Sequence, residues 1–251
     1  MKIRLNHFAL GARNIYEASA RLMKETGLGH QTGDWVGNTA CHMVPLGGDV
    51  FIEIESTFMS AHDFLKMPKP NYTYDALDAD NEYNGDHFTG LMLGVDTLEE
   101  LEEIGKRLGG GVTPNWPDPY KHFQRPDGYV RRFQSAPYYE PGSGKSRPRG
   151  MPNFYYYPDI PGRPANQPVW SAPHLKVPTG VKWIEYGGTE EEMSKWLDVP
   201  KASDILPFKF NGKALGTWAV CVGVEDGEDI IIRRPPSAAS IKDPSIYTSA
   251  M

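Results

Sequence analysis

The pattern of apolar and polar positions along the chain predicts a strand followed by a helix three times. The strand-like run "KIRLNHFALGA" precedes "NIYEASARLMKETGLG", in which Ile15, Ala18, Leu22 and Met23 recur at helical spacing. The same order returns in "TGLMLGVDTLEELEEIGKRLGGG" and in "TGVKWIEYGGTEEEMSKWLDV". Three strand–helix units in one order predict an internal repeat.

Each predicted helix begins at a residue that is typical of a helix N-cap. These residues are Asn14, Thr97 and Thr189, and a glutamate follows each of them three positions later, as in a capping box. After the first and third helices, strand-like runs are joined by "GGD" and "EDGE", which predict hairpins. After the second helix, "PDG" predicts a turn that leads into a strand, "YVRRFQ".

The repeat predicts an α+β chain built from strand–helix–strand modules within one compact domain. The long stretches between the modules carry many prolines, asparagines and tyrosines, and they form either walls and lids of a site or surface insertions. The predicted boundaries are a first module at 1–56, an insertion at 57–86, a second module at 87–135, a Pro/Tyr-rich insertion at 136–177, and a third module-like unit at 178–251.

The bulk composition narrows the classes of partner. The 251 residues carry a net charge of −6, which argues against a nucleic-acid partner because phosphate binding needs a basic surface. No apolar run is long enough for a membrane span, and the first residues do not resemble a signal peptide. The two cysteines make no disulfide framework, so we expect a cytoplasmic protein whose partner is a small molecule.

Two short strands each carry a side chain that is able to bind a metal. Side chains alternate along a strand, so the valine and isoleucines of "DVFIEIES" share one face, and Phe51, Glu53 and Glu55 share the other. In "LNHFAL", the alternation places Leu5 and His7 on a common face. From the pattern alone, His7 is either a cavity-lining ligand or a hydrogen-bonded core histidine.

This arrangement resembles the vicinal oxygen chelate superfamily, and within it the glyoxalase-like proteins. The similarity lies in "LNHFALGARNIYEASARLMKETGLG", "GNTACHMVPLGGDVFIEIES", "GLMLGVDTLEELEEIGKRLGGGV" and "RPDGYVRRFQ". The resemblance implies βαβββ modules whose mixed sheets curl around a cavity, with a divalent metal between two modules. It also implies that His7 and Glu53 are metal ligands. Such ligands suit Zn, Ni, Mn or Fe(II).

The second module departs from the pattern that the resemblance implies. Gly90 stands at the position of the second histidine, and Arg132 stands at the position of the second glutamate. Three alternatives follow. A third ligand comes from elsewhere, the third unit replaces the second as pairing partner, or the metal is lost and Arg131 or Arg132 binds an anionic substrate.

Further residues are candidates for the same site, and each of them also has a plainer structural explanation. His42 completes a two-histidine, one-carboxylate ligand set or is a buried strand histidine. Glu55 is a general base or a solvated rim residue, and His122 reaches the cavity mouth as an acid or base. Trp35 and Tyr156 stack on an aromatic substrate or simply pack.

Three functions remain open at this point. The first is a metal-dependent isomerase, lyase or hydrolase that works on a small oxygenated substrate through an enolate-like anion. The second is an Fe(II) extradiol-type dioxygenase, and the third is a non-catalytic protein that binds or sequesters a small ligand. The modules pair either within one chain or across a homodimer.

Overall fold

A computed structural model of the protein describes most of the three predicted units. It covers residues 2–36, 39–57, 85–113, 123–124, 130–131, 133–140, 143–145, 147–148, 150–158 and 172–236, with only the backbone at 34–36, 39–40, 56–57, 123–124 and 130–131. The predicted insertion at 57–86 lies almost wholly outside these residues, as do His122 and Arg132.

The strands and helices follow the predicted order. The helices are α1 (Ile15–Thr26), α2 (Leu98–Arg107) and α3 (Glu190–Leu197), with a short 3-10 turn at Ala202–Asp204. The strands are β1 (Arg4–Gly11), β2 (Gln31–Val36), β3 (Thr39–Pro45), β4 (Phe51–Thr57), β5 (His87–Gly94), β6 (Phe123–Gln124), β7 (Val130–Arg131), β8 (Gln134–Ala136), β9 (Asn153–Tyr156), β10 (Pro178–Gly187), β11 (Phe208–Phe210), β12 (Gly216–Val224) and β13 (Ile230–Arg233).

The predicted caps begin all three helices. The Asn14 side chain accepts hydrogen bonds from two backbone N–H groups in the first turn of α1, and Gly27 ends that helix at a φ of 77°, a left-handed conformation that glycine adopts without strain. Thr97 and Thr189 form complete capping boxes with the glutamates three positions on. These caps fix the residue at which each helix begins after its strand.

Within the described residues, the strands of the first two units form one nine-stranded sheet together with β9, which comes from the predicted insertion at 136–177, in the order β7-β6-β2-β3-β4-β1-β5-β9-β8. The central strand β1 is parallel to β4 and antiparallel to β5, and β5 is in turn parallel to β9. The pairing is therefore mixed, and the sheet is curled but unclosed, which confirms the predicted α+β class.

One expected strand lies elsewhere. The segment with "VRR" was expected to close the second module, but its β7 pairs with β6 at the far edge of the sheet, beside β2. The parallel partner of β5 is β9, where Phe154 is fully buried. Two successive arginines would place a charge on both faces of an inner strand, whereas an edge strand tolerates them.

The third unit begins like the others but pairs its strands differently. Its sheet has the order β11-β10-β12-β13, and the parallel partner of β10 is β11, the first strand after the helix. In the first unit, the parallel partner of β1 is the last strand, β4. The main core nevertheless runs continuously from one sheet to the other, through residues such as Phe88, Leu93 and Val220.

The nine-stranded sheet has two different faces. Phe8, Ile52 and Ile54 pack in the main core with α1 and α2, so we call their side the helix face. Phe51 packs on the opposite side in a small cluster with Cys41 and Met43, and we call this side the site face. The predicted alternation of β4 is confirmed. No helix in the described part of the chain is long and apolar enough to cross a bilayer.

Candidate functional site

His7 and Glu53 meet on the site face of the sheet. In the parallel pairing of β1 with β4, His7 lies opposite Phe51, and Glu53 lies opposite Ala9. Glu53 is therefore two positions further along the strands than His7, on the same face of the sheet. His7 Nε2 lies 3.3 Å from Glu53 Oε2, and the two side chains are only 2% and 6% exposed. The imidazole stacks on the Phe51 ring with 4.7 Å between ring centroids. A buried carboxylate of this kind needs a cationic partner.

Asn6 holds the other nitrogen of the same imidazole. The pairing of β1 with β5 is irregular between Leu5 and His7, and this bulge disrupts strict alternation, so Leu5 packs against the main core instead of sharing the face of His7 as expected. The His7 Nδ1–H donates to the carboxamide oxygen of Asn6 at 2.5 Å, and the Tyr157 hydroxyl donates to the same oxygen at 3.2 Å. This contact assigns the proton to Nδ1 and leaves Nε2 to face Glu53.

Cys41 and Glu55 lie beside Glu53. In the antiparallel β3–β4 pairing, Cys41 is opposite Glu55, and Met43 is opposite Glu53. One ligand atom from each of Cys41, Glu53 and Glu55 lies within 4.8 Å of the others. The sequence reasoning missed Cys41, although the register of the "GGD" hairpin carries the signal, because it places the thiol across from the predicted carboxylate face.

An aromatic wall stands over this cluster. Tyr155 approaches His7 edge-on at 5.5 Å and stacks against Phe133 at 4.9 Å, with Tyr157 at 6.3 Å from Tyr155. Burial, followed by the nearby Tyr157 and the Glu53 and Glu55 carboxylates, raises the pKa of the Tyr155 phenol. Tyr155 is therefore a neutral O–H donor at ordinary pH.

Tyr156 was expected to contact substrate, but the structure places it on the helix face, where it packs against the main core. Its two neighbours along β9 take the expected place, since adjacent side chains on a strand point to opposite faces. The sequence "NFYYY" indicated an aromatic segment, but it did not show which of its tyrosines point to the site face.

His42 also lies apart from the pair. Its Nδ1 is 2.8 Å from the Ser19 hydroxyl of α1, and its ring stacks on His30 at 4.8 Å. Burial, and then the proximity of His30, lowers the pKa of His42 to about 4. The expectation that His42 ligates a metal with His7 is wrong because neighbouring positions of β3 face opposite sides of the sheet, and Cys41 holds the site face.

The side chains of the remaining expected site residues lie outside the described part of the chain. Trp35 is part of β2, and Arg131 is part of β7, but their side chains lie outside the described residues. Arg132 and His122 lie outside them entirely. The strand that pairs in parallel with β5, as β4 pairs with β1, is β9.

In the second module, residues that are not the expected histidine and glutamate occupy the matching positions. Gly90 precedes its helix cap by the same number of residues as His7 precedes Asn14, and a Cβ at Gly90 would lie 3.0 Å from the Met92 methyl group. By the strand pairing, Met92 and Asn153 correspond to Ala9 and Glu53. A thioether therefore fills the space of a second imidazole, and an amide stands in place of the second carboxylate.

The donors in the first half fit a divalent transition metal. Two ligands at about 2.0–2.2 Å from a zinc ion lie roughly 3–3.5 Å apart in tetrahedral geometry, which is the separation of the His7 and Glu53 atoms. With the Nδ1 proton held by Asn6, a neutral His7 presents its Nε2 lone pair toward a metal ion. Glu55 and Cys41 place further donor atoms within 4.8 Å of a Glu53 oxygen.

No protein-family model and no curated protein matches the chain. Among solved structures, a hypothetical protein from Staphylococcus aureus is similar over 94% of this chain and 86% of its own, with a TM-score of 0.53 and 10% identity. Methylmalonyl-CoA epimerase from Mycobacterium tuberculosis is similar over 61% of this chain and 85% of its own, with a TM-score of 0.38 and 9% identity. At such identities, the likeness to the staphylococcal protein is one of fold.

Proposed function

We propose that this protein is a metal-dependent enzyme of isomerase or lyase type that acts on a small oxygenated substrate. The observation that carries the proposal is the buried contact between His7 Nε2 and Glu53 Oε2 at 3.3 Å. The sequence resemblance to glyoxalase-like proteins supports the same ligand pair. The metal is Zn, Ni, Mn or Fe(II) in this proposal, held by His7 and Glu53.

A divalent metal at this place supplies Lewis-acid stabilisation of negative charge on substrate oxygens. The chain supplies the proton transfer. Glu55 follows Glu53 on the same face of β4, so its carboxylate is positioned to take a proton from carbon next to the bound oxygens. Tyr155, kept neutral by its raised pKa, donates a hydrogen bond to the oxygen on which charge develops.

The surroundings favour a substrate that carries an anionic or aromatic group. Phe133, Tyr155 and Tyr157 form an apolar wall that excludes water from the reacting atoms. The Arg147 guanidinium donates to the Met151 carbonyl oxygen, and its charge opposes the rise in the pKa of the Tyr155 phenol; burial lowers the pKa of Arg147 itself to about 10, so it stays charged. A carboxylate of the substrate would complement this cation.

The dioxygenase alternative loses its support among the described residues. It relied on two histidines and Glu53, but His42 contacts Ser19 on the helix face, and Gly90 leaves the second-module position without an imidazole. A non-catalytic binding protein remains the contrasting outcome of the experiment.

The test follows α-proton exchange by NMR. The metal-stripped protein and the protein reloaded with zinc, nickel or manganese are incubated in D₂O with a panel of α-hydroxy ketones and 2-substituted carboxylates. We expect metal-dependent exchange of the α-proton that Glu55→Gln abolishes while the metal stays bound. Glu102→Gln, the same chemical change on the exposed side of α2, is the matched control. Binding of a panel compound without metal and without exchange would contradict the proposal and identify a binding protein.

A further inference from the structure

The second sheet ends at an exposed edge strand, β13. In the order β11-β10-β12-β13, this strand pairs on one side only within the described part of the chain. Ile230 and Ile232 point into the core, whereas Ile231 lies on the outer face and is 53% exposed. A strand at the edge of a sheet is able to pair with a further strand through its outward N–H and C=O groups.

The pairing of β13 with β12 determines which backbone groups face outward. The Arg234 N–H donates to the Trp218 carbonyl oxygen at 3.0 Å, so these opposite residues form a hydrogen-bonded pair. Hydrogen-bonded pairs occur at every second residue of an antiparallel ladder, so the backbone groups of Ile232 and Ile230 also face β12. The backbone N–H and C=O of Ile231 therefore face the open edge.

Opposite charges flank Ile231 symmetrically along this edge. Asp229 precedes it by two positions, Arg233 follows it by two, and both residues are exposed. In an antiparallel pair about a twofold axis at Ile231, each Asp229 stands opposite the Arg233 of the other copy. The Arg233 carbonyl oxygen accepts from the Arg234 side chain at 2.8 Å, so the open stretch ends at that residue.

Ion pairs within each copy extend the complementarity. Lys182 Nζ lies 2.8 Å from Asp229 Oδ1, and Arg233 Nη1 lies 2.7 Å from Glu185 Oε2. In the twofold pair, Asp229 with its lysine would face the Arg233 of the second copy with its glutamate, so the charges alternate in sign across the axis. Opposite charges at facing positions stabilise a strand pair, and like charges destabilise it.

An edge strand that resists pairing has a different character. The other end of the same sheet is an example, because a twofold pair centred on Lys209 of β11 would bring two lysines together. On β13 the residue at the axis is apolar. Ile231 continues a row on the outer face with Cys221 and the half-buried Trp183, so two copies would cover apolar surface as well as backbone groups.

We propose that β13 pairs with the β13 of a second copy, antiparallel and about a twofold axis at Ile231, so that the two second sheets join into one continuous sheet. The occupant is a second copy because the edge is complementary to itself, both in its hydrogen-bonding groups and in its charges. A short strand buries little surface, so the dimer is of the weak, concentration-dependent kind.

Sedimentation velocity of the full chain over a range of concentrations tests the pairing. We expect the wild-type protein to approach a dimer as its concentration rises. Ile231→Lys should remain monomeric, because it places two lysines at the axis. Ile205→Lys is the matched control, since Ile205 is 42% exposed in the same unit but lies before β11, and this variant should dimerise like the wild type.

Mixing two charge variants tests the register. Asp229→Lys and Arg233→Glu should each weaken the dimer about tenfold, because each replaces two opposite-charge contacts by two like-charge contacts. A mixture of the two variants should form a heterodimer with nearly wild-type affinity, since both contacts across the axis are then between opposite charges. The heterodimer would also show that both variants fold.

Each outcome decides the proposal. A wild-type protein that stays monomeric at every concentration would overturn it, whether the edge is unused or binds an unrelated extended peptide. A dimer that Ile231→Lys leaves intact would place the interface elsewhere and overturn it equally. Failure of the mixed charge variants to associate more tightly than either variant alone would refute the twofold register.

Discussion

Acidification should destabilise this protein through His42. The histidine is 4% exposed, and burial lowers its pKa from 6.5 in the unfolded chain to about 4 in the folded chain. Between these two pH values, His42 is mostly protonated in the unfolded state and mostly neutral in the folded state. The contribution of neutral His42 to the free energy of unfolding is therefore fully present above pH 6.5. It falls as the pH falls and levels off below about pH 4.

The size of the effect follows from the two pKa values. Linkage gives a loss of about 2 kcal/mol from pH 7 to pH 5 and about 3 kcal/mol in the acid limit, since one pKa unit corresponds to about 1.4 kcal/mol. His30, stacked on the same ring, also has a lowered pKa, so it adds to the loss in the same direction. The raised pKa of Asp86 acts in the opposite direction, so the comparison needs a variant.

The assay is urea unfolding at pH 5, 6, 7 and 8 for the wild-type protein and for His42→Asn. Asparagine keeps a polar group within reach of Ser19 but does not titrate. We expect the difference in unfolding free energy between the two proteins to shrink by about 2 kcal/mol as the pH falls from 7 to 5. A difference that stays constant over this range would refute the assignment of a neutral, buried His42.

Three further predictions concern the site and the helices. Asn6→Ala should weaken zinc binding by about 10–100-fold with little change in fold, measured by competition with a chromophoric chelator, because it releases the Nδ1–H of His7. Gly105→Ala in α2 should lower the melting temperature, although alanine favours helices, because its Cβ would lie 2.6 Å from the Gly111 carbonyl oxygen; a higher melting temperature would contradict that packing. Thr189→Ala should cost about 1 kcal/mol in urea unfolding through loss of the capping box, and no change would exclude its contribution.

The sequence predicted what depends on local chemistry. The three caps and the faces of β4 follow from side-chain hydrogen bonding and from alternation, and these need no knowledge of distant strands. The meeting of His7 with Glu53 followed from the resemblance, which supplied the pairing of β1 with β4 that the pattern alone does not contain.

The errors arose where pairing between distant segments decides the outcome. "VRR" lay in a predicted strand and "NFYYY" in a predicted insertion, but it is the second that pairs with β5 and buries Phe154 there. Tyr156 and His42 were each one position out of phase with the site face, because β-strand alternation moves a side chain to the other face with every step. The bulge at Asn6 separated Leu5 from His7 for a similar reason.

Zinc binding by His7→Ala and His42→Asn tests the central claim most directly. Isothermal titration of metal-stripped protein should give one equivalent of zinc for the wild type and for His42→Asn, since His42 lies on the helix face. His7→Ala should lose the site, because it removes the nitrogen that faces Glu53. Retention of tight zinc binding by His7→Ala, or its loss in His42→Asn alone, would contradict a metal centre on the site face.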